Sequence, residues 1–231
     1  TSGGLITQLL KLALESRIID GVLVTKMDEA HPLRPRPFIA RTTEEIIEAS
    51  KSKYCAVPLN IMLREILRAK DDQKFAIVGL PCHIQGIRKA EKIYKGLKGK
   101  MVLHFGLFCN HAPAFSATEF LLRQIGVNKE DVIKLDYRGK GWPGGMSITL
   151  KDGSEVFVPH FSSIYWGVAF NLFFFPERCT LCSDKLCELA DLSCGDAWLP
   201  ELADDTVGTS LIITRSRMAE ELLHSALEAG V

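Results

Sequence analysis

Four of the chain's seven cysteines fall in one short run, Cys179-x2-Cys182-x4-Cys187-x6-Cys194. Two thiols separated by two residues reach a single metal because the turn between them folds back on itself. Gly195-Asp196, directly after the run, reads as a turn-forming pair. So dense a set of thiols is costly as ordinary packing and natural as a metal or iron–sulfur site. Spacing alone leaves two chemistries open: a closed zinc site, or an iron–sulfur site built partly from Cys82 and Cys109. Cysteine is also among the most frequently buried residues, and Cys55, with no partner near in sequence, reads as inert core.

A disulfide framework is the weaker reading. The cysteine count is odd, and no charged start, apolar run and small-residue cleavage site marks a secretory signal, so the expected location is cytoplasmic. The longest apolar run, Ile164 to Phe175, is broken by Asn171 and is too short to span a bilayer. With 28 basic and 28 acidic residues the formal charge is zero. No global field points to nucleic acid or to a strongly charged partner. The 231 residues, 47% of them hydrophobic, suffice for one large domain or two small ones with a proper core. The chain opens at Thr1 without Met and closes at Val231, which reads as a fragment trimmed at both ends.

The pattern along the chain predicts an α/β fold, a mixed sheet with flanking helices, plus a β-hairpin and the cysteine-rich C-terminal segment. Ser2-Gly3-Gly4 precedes Leu5, Leu9, Leu12 and Ala13 at helical spacing, with Ser2 as the expected cap. A glycine-rich turn at a helix start can bring backbone N–H groups to an anion, although a plain cap explains it equally well. Val22–Thr25 and Phe75–Val78 read as buried strands and Phe38–Ala40 as an edge strand. Helices are expected from Thr42 or Thr43 to Ala49, from Asn60 to Arg68, from Ile84 to Lys92 and from Ala114 to Ile125. Phe75–Val78 runs through Gly79-Leu80-Pro81-Cys82-His83 into a helix, the strand–turn–helix junction where α/β proteins place ligands. Lys100–Phe108 is a further strand, ending at Cys109. If these two strands are parallel neighbours, Cys82 and Cys109 emerge on the same sheet edge. Arg138 to Gly145, with four glycines and a proline, reads as a loop whose Arg138, Lys140 and Trp142 are binding candidates. Met146–Leu150 and Glu155–Val158 form a hairpin around Asp152-Gly153, and the chain ends in a strand, Ser210–Thr214, and a helix, Met218–Ala229. No histidine pair has ligand spacing, and no G-x-S-x-G, H-E-x-x-H or P-loop anchors a hydrolase or kinase reading.

In order along the chain stand Ser2-Gly3-Gly4 with Thr7, Ile19-Asp20-Gly21-Val22, Ser52-Lys53-Tyr54, Gly79-Leu80-Pro81-Cys82 and Gly106-Leu107-Phe108-Cys109. Arg138-Gly139 with Gly141-Trp142-Pro143-Gly144, Cys179-x2-Cys182-x-Asp184, and Ala190-Asp191-Leu192-Ser193 with Gly195-Asp196-Ala197-Trp198 follow. Each is weak alone; as an ordered set the chain resembles the β-subunit family of coenzyme F420-reducing hydrogenase. That family includes F420-linked formate dehydrogenase β subunits, the front half of F420-dependent sulfite reductase, and 7-hydroxymethyl chlorophyll a reductase. The resemblance covers nearly the whole chain and implies a single domain of this kind over residues 1–231, with an N-terminal part to residue 60 and a C-terminal part from residue 61.

The resemblance implies FAD at the strand C-terminal ends, a [4Fe–4S] cluster, and coenzyme F420 as substrate. The flavin-lining parts would be Ser2, Gly3, Gly4, Thr7, Lys53, Tyr54, Pro81, Cys82 and His83. The cluster ligands would be Cys82, Cys109, Cys179 and Cys182, while Cys187 and Cys194 stand where the family pattern has other residues. F420 carries a phosphate and an acidic tail, so Lys53, Arg138 and Lys140 are candidates for a local basic lining. The implied activity is hydride and electron transfer between F420 and the cluster, with no side chain acting as general acid or nucleophile. Implied partners are catalytic or electron-transfer subunits, or ferredoxin. Two alternatives stand beside it: a ferredoxin-linked flavin reductase of an organic substrate, and a zinc- or cluster-binding docking scaffold without flavin.

Overall fold

The computed structural model describes residues 3–171 and 173–230. Ser2 lies outside the described residues. In chain order the elements are α1 (Gly4–Glu15), β1 (Gly21–Met27), β2 (Pro35–Ala40), α2 (Thr43–Glu48), a 3-10 turn (Leu59–Met62) running into α3 (Leu63–Arg68), β3 (Phe75–Gly79), α4 (Pro81–Ile93) and α5 (Lys95–Lys100). Then come β4 (Met101–Leu107), α6 (Phe115–Gln124), β5 (Val132–Gly139), β6 (Gly145–Leu150), β7 (Glu155–Pro159), β8 (Leu192–Asp196), β9 (Ser210–Thr214) and α7 (Arg217–Glu228).

Among the described residues these strands make two sheets. The larger runs β2-β1-β3-β4-β8-β9, with β1, β3, β4 and β8 mutually parallel and an antiparallel strand on each edge. The smaller is the antiparallel meander β5-β6-β7. This is the α/β mixed sheet with flanking helices and a separate hairpin that the sequence pattern predicts. Pro35 and Pro37 sit in β2, an edge strand, where a missing N–H donor is tolerated. Thr42 caps α2 with a full capping box, its hydroxyl accepting from the Glu45 N–H.

Three differences from the sequence expectation follow from tertiary context. α1 is capped by Gly3, in the left-handed region at φ 89°, rather than by Ser2. A Cβ on Gly3 would lie 2.7 Å from the Lys51 backbone nitrogen, so the close approach of these two segments requires glycine. Arg138-Gly139 closes β5 rather than opening a loop, and the connection to β6 shrinks to residues 140–144. Gly195-Asp196 is not a turn: it ends β8, a strand paired on both sides. Among the described residues no helix is long and apolar enough to cross a membrane.

Ile6, Leu9, Leu10 and Ala13 of α1 pack with α7 and with residues of β1, β4 and β8 in one apolar cluster. A second cluster, on the other face, joins β3, α4 and Cys187. A polar staple crosses this second layer. His104 of β4, fully buried, places Nδ1 2.9 Å from Asp191 Oδ2 and Nε2 2.6 Å from Glu91 Oε1. Arg88, one turn before Glu91 in α4, bridges both carboxylates. Burial works against a charged imidazole here, but the two carboxylates outweigh it and raise the His104 pKa. Replacing His104 by Phe leaves the buried Glu91 and the half-buried Asp191 without their central partner, so H104F is expected to lose about 3–5 kcal/mol of stability, measured as a shift in the urea midpoint with unchanged m-value.

Candidate functional site

β3 and β4 are parallel neighbours in a register that pairs Gly79 with Gly106. Cys82 and Cys109 each lie three residues beyond their paired glycine, so both leave the same C-terminal sheet edge, as the strand pattern predicts. Cys82 sits in the first turn of α4, which opens with Pro81. The cysteine run is brought to that edge by backbone bonds. The Cys109 N–H donates to the Lys185 carbonyl at 3.0 Å, and the Lys185 ammonium reaches the Asn110 carbonyl. The Cys179–Cys182 turn folds back through a Cys182 N–H bond to the Cys179 carbonyl.

The result is a group of four neighbouring thiols, Cys82, Cys109, Cys179 and Cys182, with a fifth, Cys187, near the first two. Burial first, and then the nearby Cys82, Cys179 and Cys182, push the Cys109 thiol up to about 12. Such a thiol stays protonated unless a bound metal supplies the positive charge that stabilises a thiolate. Among the described residues no three His, Cys, Asp or Glu side chains close around a single-ion position. Cys187 and Cys194 are buried in apolar clusters on opposite faces of the large sheet, and Cys55 in the core of the meander. Cys187 packs so closely on β4 that a Cβ on Gly106 would lie 2.6 Å from its sulfur. All seven cysteines are free thiols.

Beside the four thiols lies a cavity of about 670 Å³, a size typical of small-molecule and cofactor sites. It opens along the C-terminal ends of β1, β3, β4 and β8, where open α/β sheets bind ligands. Its floor includes Gly3, Gly4 and Thr7 at the start of α1, and the segment from Ala49 to Cys55. His83 and Cys109 line it near the strand ends, and Arg138, His160, Trp166 and Trp198 are also in its wall. A π-helical turn, Ser163–Ala169, carries Trp166, whose ring stands 5.3 Å from Tyr54 and 4.8 Å from His160.

The three candidate cations have different fates. Arg138 is buried against the cavity: Nε donates to the Pro143 carbonyl, and Nη1 to Tyr54 Oη and Asp196 Oδ2 at 3.0 and 3.1 Å. Lys140 does not line the cavity; it is half exposed and pairs with Glu155 of β7 at 2.9 Å. Lys53 lines the cavity, but its ammonium donates to the carbonyls of Ala49, Ser50 and Lys51. It therefore locks the loop after α2 and has no donor left for an anion. Trp142 is also outside the cavity wall, stacked at 4.5 Å on Trp198, which is part of it. His83 is in the wall, but Pro81 and Cys82 are not. His160, Asp196 and Trp198 form much of the site. Only the second and third carried a signal, in the ordered motifs; a lone histidine after a strand carries none.

Residues 1–64 match the family model for the coenzyme F420 hydrogenase/dehydrogenase β subunit N-terminus, and residues 72–231 that for its C-terminus. The chain is 30% identical to the coenzyme F420 hydrogenase subunit β of Methanothermobacter thermautotrophicus, over 99% of this chain and 76% of that protein. It is 28% identical to the coenzyme F420-dependent sulfite reductase of Methanocaldococcus jannaschii, over 99% of this chain and 35% of that protein. A chain in the solved F420-reducing [NiFe] hydrogenase complex from Methanosarcina barkeri superposes with a TM-score of 0.74 at 25% identity, covering all of this chain and 74% of its own length.

Burial pushes the Lys53 ammonium down to about 8 from its ordinary 10.5. Between those two values the unfolded chain binds more protons than the folded one, so this group's contribution to stability rises with pH through that window. Lys53→Met is expected to remove the rise, which denaturation midpoints measured across pH 7.5–11 would register as a flattened profile (about one proton fewer).

Proposed function

The chain belongs to the coenzyme F420 hydrogenase/dehydrogenase β-subunit family, and we propose that it is an oxidoreductase subunit moving electrons between coenzyme F420 and a [4Fe–4S] cluster through bound FAD. One observation carries this reading: Cys109 belongs at once to the cavity wall and to the four-thiol group. A ring in the cavity and a cluster on the thiols would then share one residue, so electrons need cross almost no intervening protein.

The residues fit both groups. Cys82, Cys109, Cys179 and Cys182 supply an all-thiolate set, the usual ligation of an iron–sulfur cluster. The backbone N–H groups at the start of α1, which borders the cavity, suit a phosphate. Tyr54, Trp166 and Trp198 give apolar faces for a planar ring and exclude water from it. Bound there, flavin supplies the exchange between two-electron hydride chemistry and one-electron cluster chemistry. The chain's own work is positioning. Asp196 and Tyr54 hold the Arg138 guanidinium against the wall, Lys53 fixes the loop below it, and the aromatic side chains keep the site dry. The aromatic part of the lining would shield a bound ring from water. On the thiol side, a partner subunit or a ferredoxin completes the path.

Protein purified without oxygen should show flavin bands with a broad iron–sulfur shoulder, and reduced F420 should bleach them. Flavin and iron that ignore F420 would indicate a different electron donor, and zinc without flavin would sink the redox reading. Cys109→Ser should lose iron and acid-labile sulfide. Cys187→Ala should keep both while costing about 1 kcal/mol of stability; iron loss in Cys187→Ala with retention in Cys109→Ser would refute the ligand set.

A further inference from the structure

The cavity wall contains two polar atoms that nothing in the fold satisfies. Arg138 Nη2 and His160 Nδ1 are sealed from water and have no hydrogen-bond partner. The Arg138 side chain and His160 are each only 2% exposed. A buried group left unmet is costly, and a cationic donor more so. The rest of the same guanidinium is fully engaged by Pro143, Tyr54 and Asp196, so its orientation is fixed and one nitrogen is left over. One indole lies near both groups. Trp198 lies 5.9 Å from His160 with ring planes 7° apart, and 5.8 Å from the Arg138 guanidinium. Trp142 lies 5.0 Å from the same guanidinium and Trp166 4.8 Å from His160, so aromatic rings close the pair off from water.

We propose that Arg138 Nη2 and His160 Nδ1 form a two-point clamp for the carbonyl–imide edge of the flavin ring. The clamp rests on the flavin reading of the cavity given above. That ring edge presents two carbonyl oxygens flanking an N–H. A guanidinium donates to a carbonyl oxygen, and an unprotonated imidazole nitrogen accepts from the N–H, so the donor and acceptor characters of the two atoms complement the edge. The imidazole must be neutral for this. Burial first, and then the Arg138 charge, hold the His160 pKa down at about 4, well below the pH of the cell. The same fixed positive charge favours the electron-rich reduced ring, which couples binding to potential.

The two atoms make a sharp test because an orphan is a liability in the protein alone. His160→Phe keeps the ring and deletes the unmet nitrogen, and Arg138→Lys keeps the charge and deletes Nη2. Both are titrated with FAD after the bound flavin has been stripped anaerobically, and the melting temperature of the stripped protein is recorded. The clamp predicts for His160→Phe an unchanged or higher melting temperature together with FAD affinity about tenfold weaker. Arg138→Lys should weaken FAD by a similar factor and lower the flavin's preference for its reduced form less than Arg138→Met does. Unchanged FAD affinity in a stable His160→Phe protein overturns the clamp, whether or not the Arg138 variants fold. Wild-type protein that takes up no FAD overturns the flavin reading itself, and the clamp with it, so the two failures are told apart by the wild type.

Discussion

One half-buried carboxylate, that of Asp191, ties β4 and α4 to the end of the cysteine run. Its Oδ2 accepts from the His104 backbone N–H at 2.8 Å, from the His104 ring and from Arg88. Its own backbone joins in: the Asp191 N–H donates to the His104 carbonyl, and the Arg215 N–H donates to the Asp191 carbonyl. β4, α4, the end of the cysteine run and the strand that leads to α7 are thereby fastened at one point. Buried charges persist only when paired and hydrogen-bonded in this way. The contact fixes where β8 begins beside β4, and so where the cysteine run must turn.

The convergence of the four thiols is a property of the sheet rather than of a local motif. Two of them leave adjacent parallel strands at equal offsets from paired glycines, and two arrive on a loop bonded to the end of β4. The cavity uses the same edge. Its electrostatics are local: an overall formal charge of zero conceals a guanidinium buried in the wall and an ammonium consumed by backbone carbonyls. Under the proposed function this arrangement suits a relay, because a dry aromatic wall and a fixed charge need no reorganisation when an electron moves.

Elements with strong periodicity were legible in the chain. α1, β1, β3, β4, the β6–β7 hairpin, α6 and α7 appear within a few residues of the boundaries that the pattern predicts. β8 was not, because Leu-Ser-Cys-Gly-Asp lacks alternation and its final pair resembles a turn; strand geometry is imposed by β4 on one side and β9 on the other. The candidate cations were equally opaque. Lys53, Arg138 and Lys140 look alike as sequence, yet one caps a loop, one is buried with Asp196 and Tyr54, and one is a surface partner of Glu155. His160 had no sequence signal, since its importance lies in what surrounds it.

By itself the sequence determined the α/β class, the placing of Cys82 and Cys109 each just past a strand end, the turn that pairs Cys179 with Cys182, and the family. These are encoded in spacing, which survives without knowledge of the rest of the chain. That the two strands are parallel neighbours was decided by the sheet. Only the tertiary structure decided which cysteines gather and which are core, which cation faces the cavity, and that His160 and Arg138 each hold an unmet polar atom in its wall. Those outcomes depend on strand register and burial, and both are set by residues far apart in the chain.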